Sequence, residues 1–159
     1  MMTPELYFFR FAWPCTESRY QRGLIKEKQY LALKDCAEST RVPSRELLES
    51  VYTDAIGNME KHFGSRKSIW SIHNIKDYFY RLHEVDLEKK YAHKARAAVD
   101  HCKVRIGVVE KVNKTTDRDL VSVTIDGNIQ GAINTFHIPI SDGEKVSVHL
   151  GHIVEKLSK

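Results

Sequence analysis

Apolar residues keep a helical period over roughly the first hundred positions and a period of two after that. Between Arg45 and Phe63, the residues Leu47, Leu48, Val51, Tyr52, Ala55, Ile56 and Met59 fall on one stripe of a 3.6-residue helix. Ser44, just after Pro43, is the expected N-cap, because its hydroxyl can accept an otherwise unpaired helix amide. Gly64 is the expected stop, because glycine takes the left-handed conformation there without a Cβ penalty. The spacing predicts a second amphipathic helix over 68–82, with Ile69, Ile72, Ile75, Phe79 and Leu82 on one side. A third is expected over 25–38 and a short first one over 4–12. Residues 89–100, rich in Ala and Lys, predict a last helix that serves as a stiff connector.

Past Asp100, Val104, Ile106, Val108 and Val109 open a β-branched run. A polar turn over 114–119 leads into the alternating strand 120–125. Asp126-Gly127-Asn128 reads as a hairpin turn, since these residues tolerate positive φ. A third strand is expected over 129–138 with a bulge at Gly131, then a turn over 141–144. Strands over 146–150 and 152–157 follow, separated at Gly151. The expected architecture is α+β: an all-helical domain over 1–95, a connector over 96–100, and a small five-stranded OB-like β-barrel over 101–159.

Composition narrows the classes of function. The formal net charge of +4 is spread evenly, with 16 basic and 13 acidic residues up to Lys94 and 9 and 8 beyond it. Neither part is a basic tail, so charge alone does not mark a nucleic-acid binder. No run of about 18 apolar residues exists to cross a membrane, and Glu5 stands where a secretory leader would need positive charge. Cys15, Cys36 and Cys102 are odd in number, far apart and free of any C-x-x-C pair, as expected of reduced thiols in a cytoplasm. The P-loop, dinucleotide and H-E-x-x-H signatures are missing, so an enzyme with its own catalytic constellation is not expected.

Two segments of the barrel carry candidate chemistry. His101-Cys102-Lys103-Val104-Arg105-Ile106-Gly107 puts a thiol at the mouth of the first strand, five residues before a glycine. Val148-His149-Leu150-Gly151, followed by Ile153-Val154-Glu155-Lys156-Leu157, closes the domain 47 residues after that cysteine. These segments resemble the HypC/HupF family of hydrogenase maturation chaperones, whose members join a Cys-x4-Gly start to a Val-His-x-Gly strand and an E-K-L run.

The resemblance implies a non-catalytic accessory protein that helps build the metal centre of nickel–iron hydrogenases. It implies an iron carried as a cyanide and carbonyl complex, shared with a HypD-like scaffold or a hydrogenase large-subunit precursor. By position, Cys102 and His149 are the functional pair, with His152 and His101 as secondary candidates. Iron with strong-field ligands accepts thiolate and imidazole, and two protein ligands leave the sphere open enough for transfer. Positive charge on Lys103 or Arg105 would assist deprotonation of the thiol. The chain departs from the family pattern where Cys102 is internal rather than N-terminal, and where Ile106 replaces the proline before the glycine.

Blander roles stand beside these. A cysteine in a strand is usually a small apolar residue, and Cys15 and Cys36 are expected in the helical core. With Val148 inward, His149 faces outward, as a ligand or as a solvated histidine. His152 approaches it only if the strand bends at Gly151, and His101 points to the face opposite Cys102. Trp13, Trp70, Tyr78, Phe79 and Tyr80 are expected in the core rather than on a stacking platform, and His73 and His83 lie too far apart to share a metal. The alternative functions are an OB-like nucleic-acid binder, using Lys103, Arg105, Lys111, Lys114 and the barrel's single aromatic Phe136, or an interaction scaffold without metal.

Overall fold

The computed structural model describes residues 1–90, 92, 102–114 and 119–158. It divides into two compact units, Met1–Lys103 and Val104–Lys159. Among the described residues no helix is long and apolar enough to cross a membrane.

The first unit is helical. Helix α1 spans Pro4–Ala12; Thr3 accepts a hydrogen bond from the Leu6 amide (3.2 Å) and Pro4 occupies the first turn. A short 3₁₀ turn, Trp13–Cys15, leads into α2, Thr16–Gln21. Helix α3 is Glu27–Ser39, α4 Arg45–Val51, α5 Thr53–Phe63, α6 Arg66–Ile69 and α7 Ile72–Asp77. A π-helical turn, Tyr78–Leu82, continues into α8, His83–Lys90. Phe8 anchors the core, meeting Tyr52, Trp70 and Phe79 at ring-centroid distances of 5.6, 5.4 and 5.7 Å.

The second unit is the barrel. Strands β1 (Arg105–Asn113), β2 (Asp119–Ile125), β3 (Asn128–Asn134), β4 (Lys145–His149) and β5 (His152–Lys156) close in the order β1-β2-β3-β5-β4. All pairings are antiparallel except β3 with β5, which meet in parallel at Ile133 and His152. Val121, Val123 and Ile125 are buried at alternate positions of β2, the period-two signal read from the sequence. The architecture is therefore α+β, helices followed by a small five-stranded barrel, as expected.

Local signals decided the ends of elements. Ser44 caps α4 through the Leu47 amide (3.2 Å), and Gly64 ends α5 with φ 83°. Asp126 and Gly127 both have positive φ, at 49° and 79°, in the two-residue turn between β2 and β3.

Four expectations needed correction. The helix expected over 45–63 breaks at Tyr52, whose ring is buried and whose hydroxyl shares a 2.7 Å hydrogen bond with Thr16 Oγ1. The helix expected over 68–82 is interrupted at Trp70, and Ser71 then caps α7 through the Asn74 amide (3.1 Å). Strand β3 ends at Asn134 because that buried side chain bonds both the amide and the carbonyl of Ile138, at 3.0 and 2.9 Å, and turns the chain. Gly131 is no bulge, since it pairs in register with Ser122; the register shifts lie between Val109 and Lys111 and between Ser147 and Val148. The connector expected over 96–100, and most of the helix expected over 89–100, lie outside the described residues.

Candidate functional site

Gly107, the glycine of the first motif, has a steric reason to be glycine. A Cβ there would lie 2.8 Å from Cγ1 of Ile125 and 2.9 Å from the carbonyl oxygen of Thr124, and closer still to Cγ1 of Val123. All three of these atoms belong to β2, so any side chain at 107 would push β1 away from β2 or displace the β2 side chains. Ile106, in place of the family's proline, is 54% exposed on the outer face.

Cys102 sits in a turn and is half-buried. The residue after it is the more informative. Lys103 is buried, and its Nζ lies 2.8 Å from Oε1 of Glu84 and 3.1 Å from Oε1 of Glu88, on successive turns of α8. Arg105 is ion-paired with Asp126. The two cations expected to assist the thiol are therefore both committed to carboxylates. Cys15 belongs to the same unit as Cys102, and its thiol is pushed up to about 12 by burial first and by the neighbouring Cys102 next.

The second motif forms the β4–β5 hairpin. Leu150 and Gly151 have φ 48° and 76°, so the turn has positive φ at both central residues, and His149 pairs directly with His152. Directly opposed residues project to the same face of a sheet, so the turn that separates the histidines in sequence brings them together. His152 is half-buried; its Nδ1 lies 3.1 Å from Oγ1 of Thr135. The turn is tied to β3 by the Ile133 amide, which donates to the Gly151 carbonyl (2.8 Å).

His149 differs from the outward-facing, solvated residue that alternation suggested. It is 1% exposed, and its strand neighbours Val146, Ser147 and Val148 are buried as well. Both faces of β4 are covered, so facing away from Val148 does not bring the imidazole to water. His101 lies outside the described residues.

Strand β1 holds Arg105–Gly107, the end of the first motif, and pairs directly with β4, with Arg105 opposite Val148, while Cys102 and Lys103 precede the strand and belong to the first unit. Among the described residues, no group of three or more His, Cys, Asp or Glu side chains is gathered to hold a metal.

Of the features cited for nucleic-acid binding, Lys111 and Lys114 are exposed, while the other three are engaged within the protein. Phe136 is 5% exposed and offers no stacking face, and Lys103 and Arg105 are neutralised as described. Sequence reasoning missed Glu84 and Glu88. Their spacing of four on a helix was visible, but the lysine they hold lies 19 and 15 residues away. Compared with protein-family models, curated proteins and solved structures, the chain matches none.

Proposed function

We propose that this chain is a HypC/HupF-like accessory protein for metal-centre assembly, with Cys102 supplying a thiolate and His149 an imidazole to an iron complex that is its cargo. The observation that carries the reading is the direct pairing of β1 with β4. Cys102 and His149 are 47 residues apart in sequence, yet the glycine end of the first segment and the start of the second, Arg105–Gly107 and Val148-His149, fall on adjacent strands of one small barrel. The glycine of the first motif is required by packing, so that half of the resemblance has a physical basis in this chain.

The chemistry asked of the protein is modest. Binding replaces the thiol proton with the metal, so affinity rises with pH until the thiolate is fully formed. A thiolate and an imidazole hold an iron while leaving the remaining positions to its own small ligands and to the acceptor. His149 is 1% exposed, so the reading requires that engagement of the partner uncovers the outer face of β4. That partner is a scaffold of the HypD kind or the precursor of a hydrogenase large subunit.

The test is anaerobic co-purification of the full chain from its native host. The readouts are iron analysis and infrared spectra in the cyanide and carbonyl stretching region, compared with Cys102→Ala. Cys102 is half-buried in a turn, so the variant is expected to fold. Iron with those bands in the wild type and its loss in the variant supports the proposal. A folded variant that keeps the iron and its partner overturns it.

A further inference from the structure

Among the described residues Lys103 is one of the few buried charged or polar side chains, and its surroundings are specific. The side chain is 9% exposed, and the ammonium is held by Glu84 and Glu88, whose own side chains are 48% and 45% exposed. Residues four apart on a helix share a face, so α8 presents the two carboxylates as a fork. Removing a lysine charge from water is unfavourable unless the partners are well placed, and a well-packed apolar residue would often stabilise such a site as much. What a buried ion pair supplies that an apolar contact does not is direction. Here it fixes where residue 103 sits on α8.

Cys102 is one peptide unit away, and neighbouring Cα atoms are held about 3.8 Å apart. From Arg105 onward the chain is fixed by the β1–β4 ladder. The thiol thus precedes two anchors in close succession, and Lys103 is the nearer. We propose that Lys103, through Glu84 and Glu88, is a positioning residue that holds Cys102 in its half-buried place. This rests on the reading of Cys102 as the cargo thiol. It adds that the helical unit sets how that thiol is presented, where the family relies on a chain terminus.

The experiment measures alkylation of each cysteine by N-ethylmaleimide at neutral pH in the full chain, read peptide by peptide by mass spectrometry. Lys103→Met keeps the stem and removes the charge. Position and charge predict opposite signs. If the clamp positions the thiol, Lys103→Met exposes Cys102 and its rate rises about tenfold, the change given by ~1.4 kcal/mol of lost restraint. If Lys103 acted only as a nearby cation, its loss would leave more neighbouring negative charge and the rate would fall.

Cys36 is the internal control, because general loosening of the fold raises its rate as well, whereas Cys15 neighbours Cys102 and responds to its movement. Glu84→Gln with Glu88→Gln should reproduce the effect and add little to Lys103→Met, while Lys103→Arg should restore the slow rate. An unchanged or slower Cys102 rate in Lys103→Met, or a parallel rise at Cys36, overturns the proposal. The alkylation readout needs no iron, so its failure is separate from failure of the metal reading. If Lys103→Met frees Cys102 while the wild type carries no iron from its host, the clamp stands and the cargo assignment falls.

Discussion

His149 and His152 oppose each other across a two-residue turn whose central residues, Leu150 and Gly151, both have positive φ. Glycine adopts that conformation freely, whereas a leucine there is strained by roughly 1–2 kcal/mol. The favoured pair for such a turn is Asn-Gly. Leu150→Asn should therefore stabilise the barrel by about 1 kcal/mol, read as a higher urea midpoint. Gly151→Ala should destabilise it by a similar amount. A lower midpoint for Leu150→Asn would mean that packing of the half-buried leucine outweighs the relief of strain.

Gly107 predicts a larger loss. A methyl group at 107 meets Val123 and Ile125 inside the barrel and the Thr124 carbonyl on the β2 backbone. Gly107→Ala should destabilise by about 1–3 kcal/mol, the range for overpacking a tight interior. Shortening Val123 makes room for the added methyl, so Gly107→Ala with Val123→Ala should be less destabilised than the two single changes add up to. Strict additivity in urea titrations would falsify the steric account.

The division between what was legible in the sequence and what was not follows the range of the interactions involved. Ser44, Gly64 and the Asp126-Gly127 turn were legible because each acts on backbone groups within a few residues. The break at Tyr52 was not, because it accompanies a buried hydrogen bond to Thr16, 36 residues away. The apolar stripe survives the break, with Leu48, Val51, Ile56 and Met59 all buried. Alternation placed His149 opposite Val148 but could not say that both faces of β4 are covered. Lys103 looked like one more basic residue of the barrel because its carboxylate partners belong to a helix outside the motif.

Glu5 and Arg45 give a prediction on the acid side. Burial alone would raise the Glu5 carboxyl, but hydrogen bonds from Arg45 and from the Glu5 backbone amide hold it below its ordinary value of 4.5. The folded state thus favours the ionised form. The contribution is complete above the ordinary carboxylate pKa and is lost as pH falls through the lower folded value. Arg45→Met should lower stability at neutral pH, partly because Arg45 also lies over the Trp70 ring at 5.0 Å. That second part does not titrate. The difference between wild type and variant should be constant near neutral pH and shrink in acid below about 4.5, measured by urea unfolding across that range. A difference that stays constant into acid would show that Glu5 is not the linked group.

On the alkaline side four weak acids of the helical unit act together. Burial pushes the Cys15 thiol from 9.0 up to about 12 and raises the Tyr52 and Tyr78 phenols as well. Tyr30 goes from 10.0 to about 12, mainly because its hydroxyl donates to the Glu17 carboxylate. In each case the folded state holds the proton more tightly than the unfolded chain does. Stability from these groups is complete below their unfolded pKa values and falls as pH rises through the window up to the folded values. For Cys15 that window runs from 9.0 to about 12. Each linked proton contributes a slope of about 1.4 kcal/mol per pH unit where only the unfolded form has ionised. Cys15→Ala should be less stable than wild type at pH 8 because it leaves a small void. Its stability should then fall with pH more gently, by close to one proton above pH 9, so the two curves converge. The measurement is the urea-unfolding free energy at half-unit steps from pH 8 to 10.5, with the slopes compared. Parallel curves would mean that the Cys15 thiol ionises alike in folded and unfolded chains, and that its burial leaves it in contact with water.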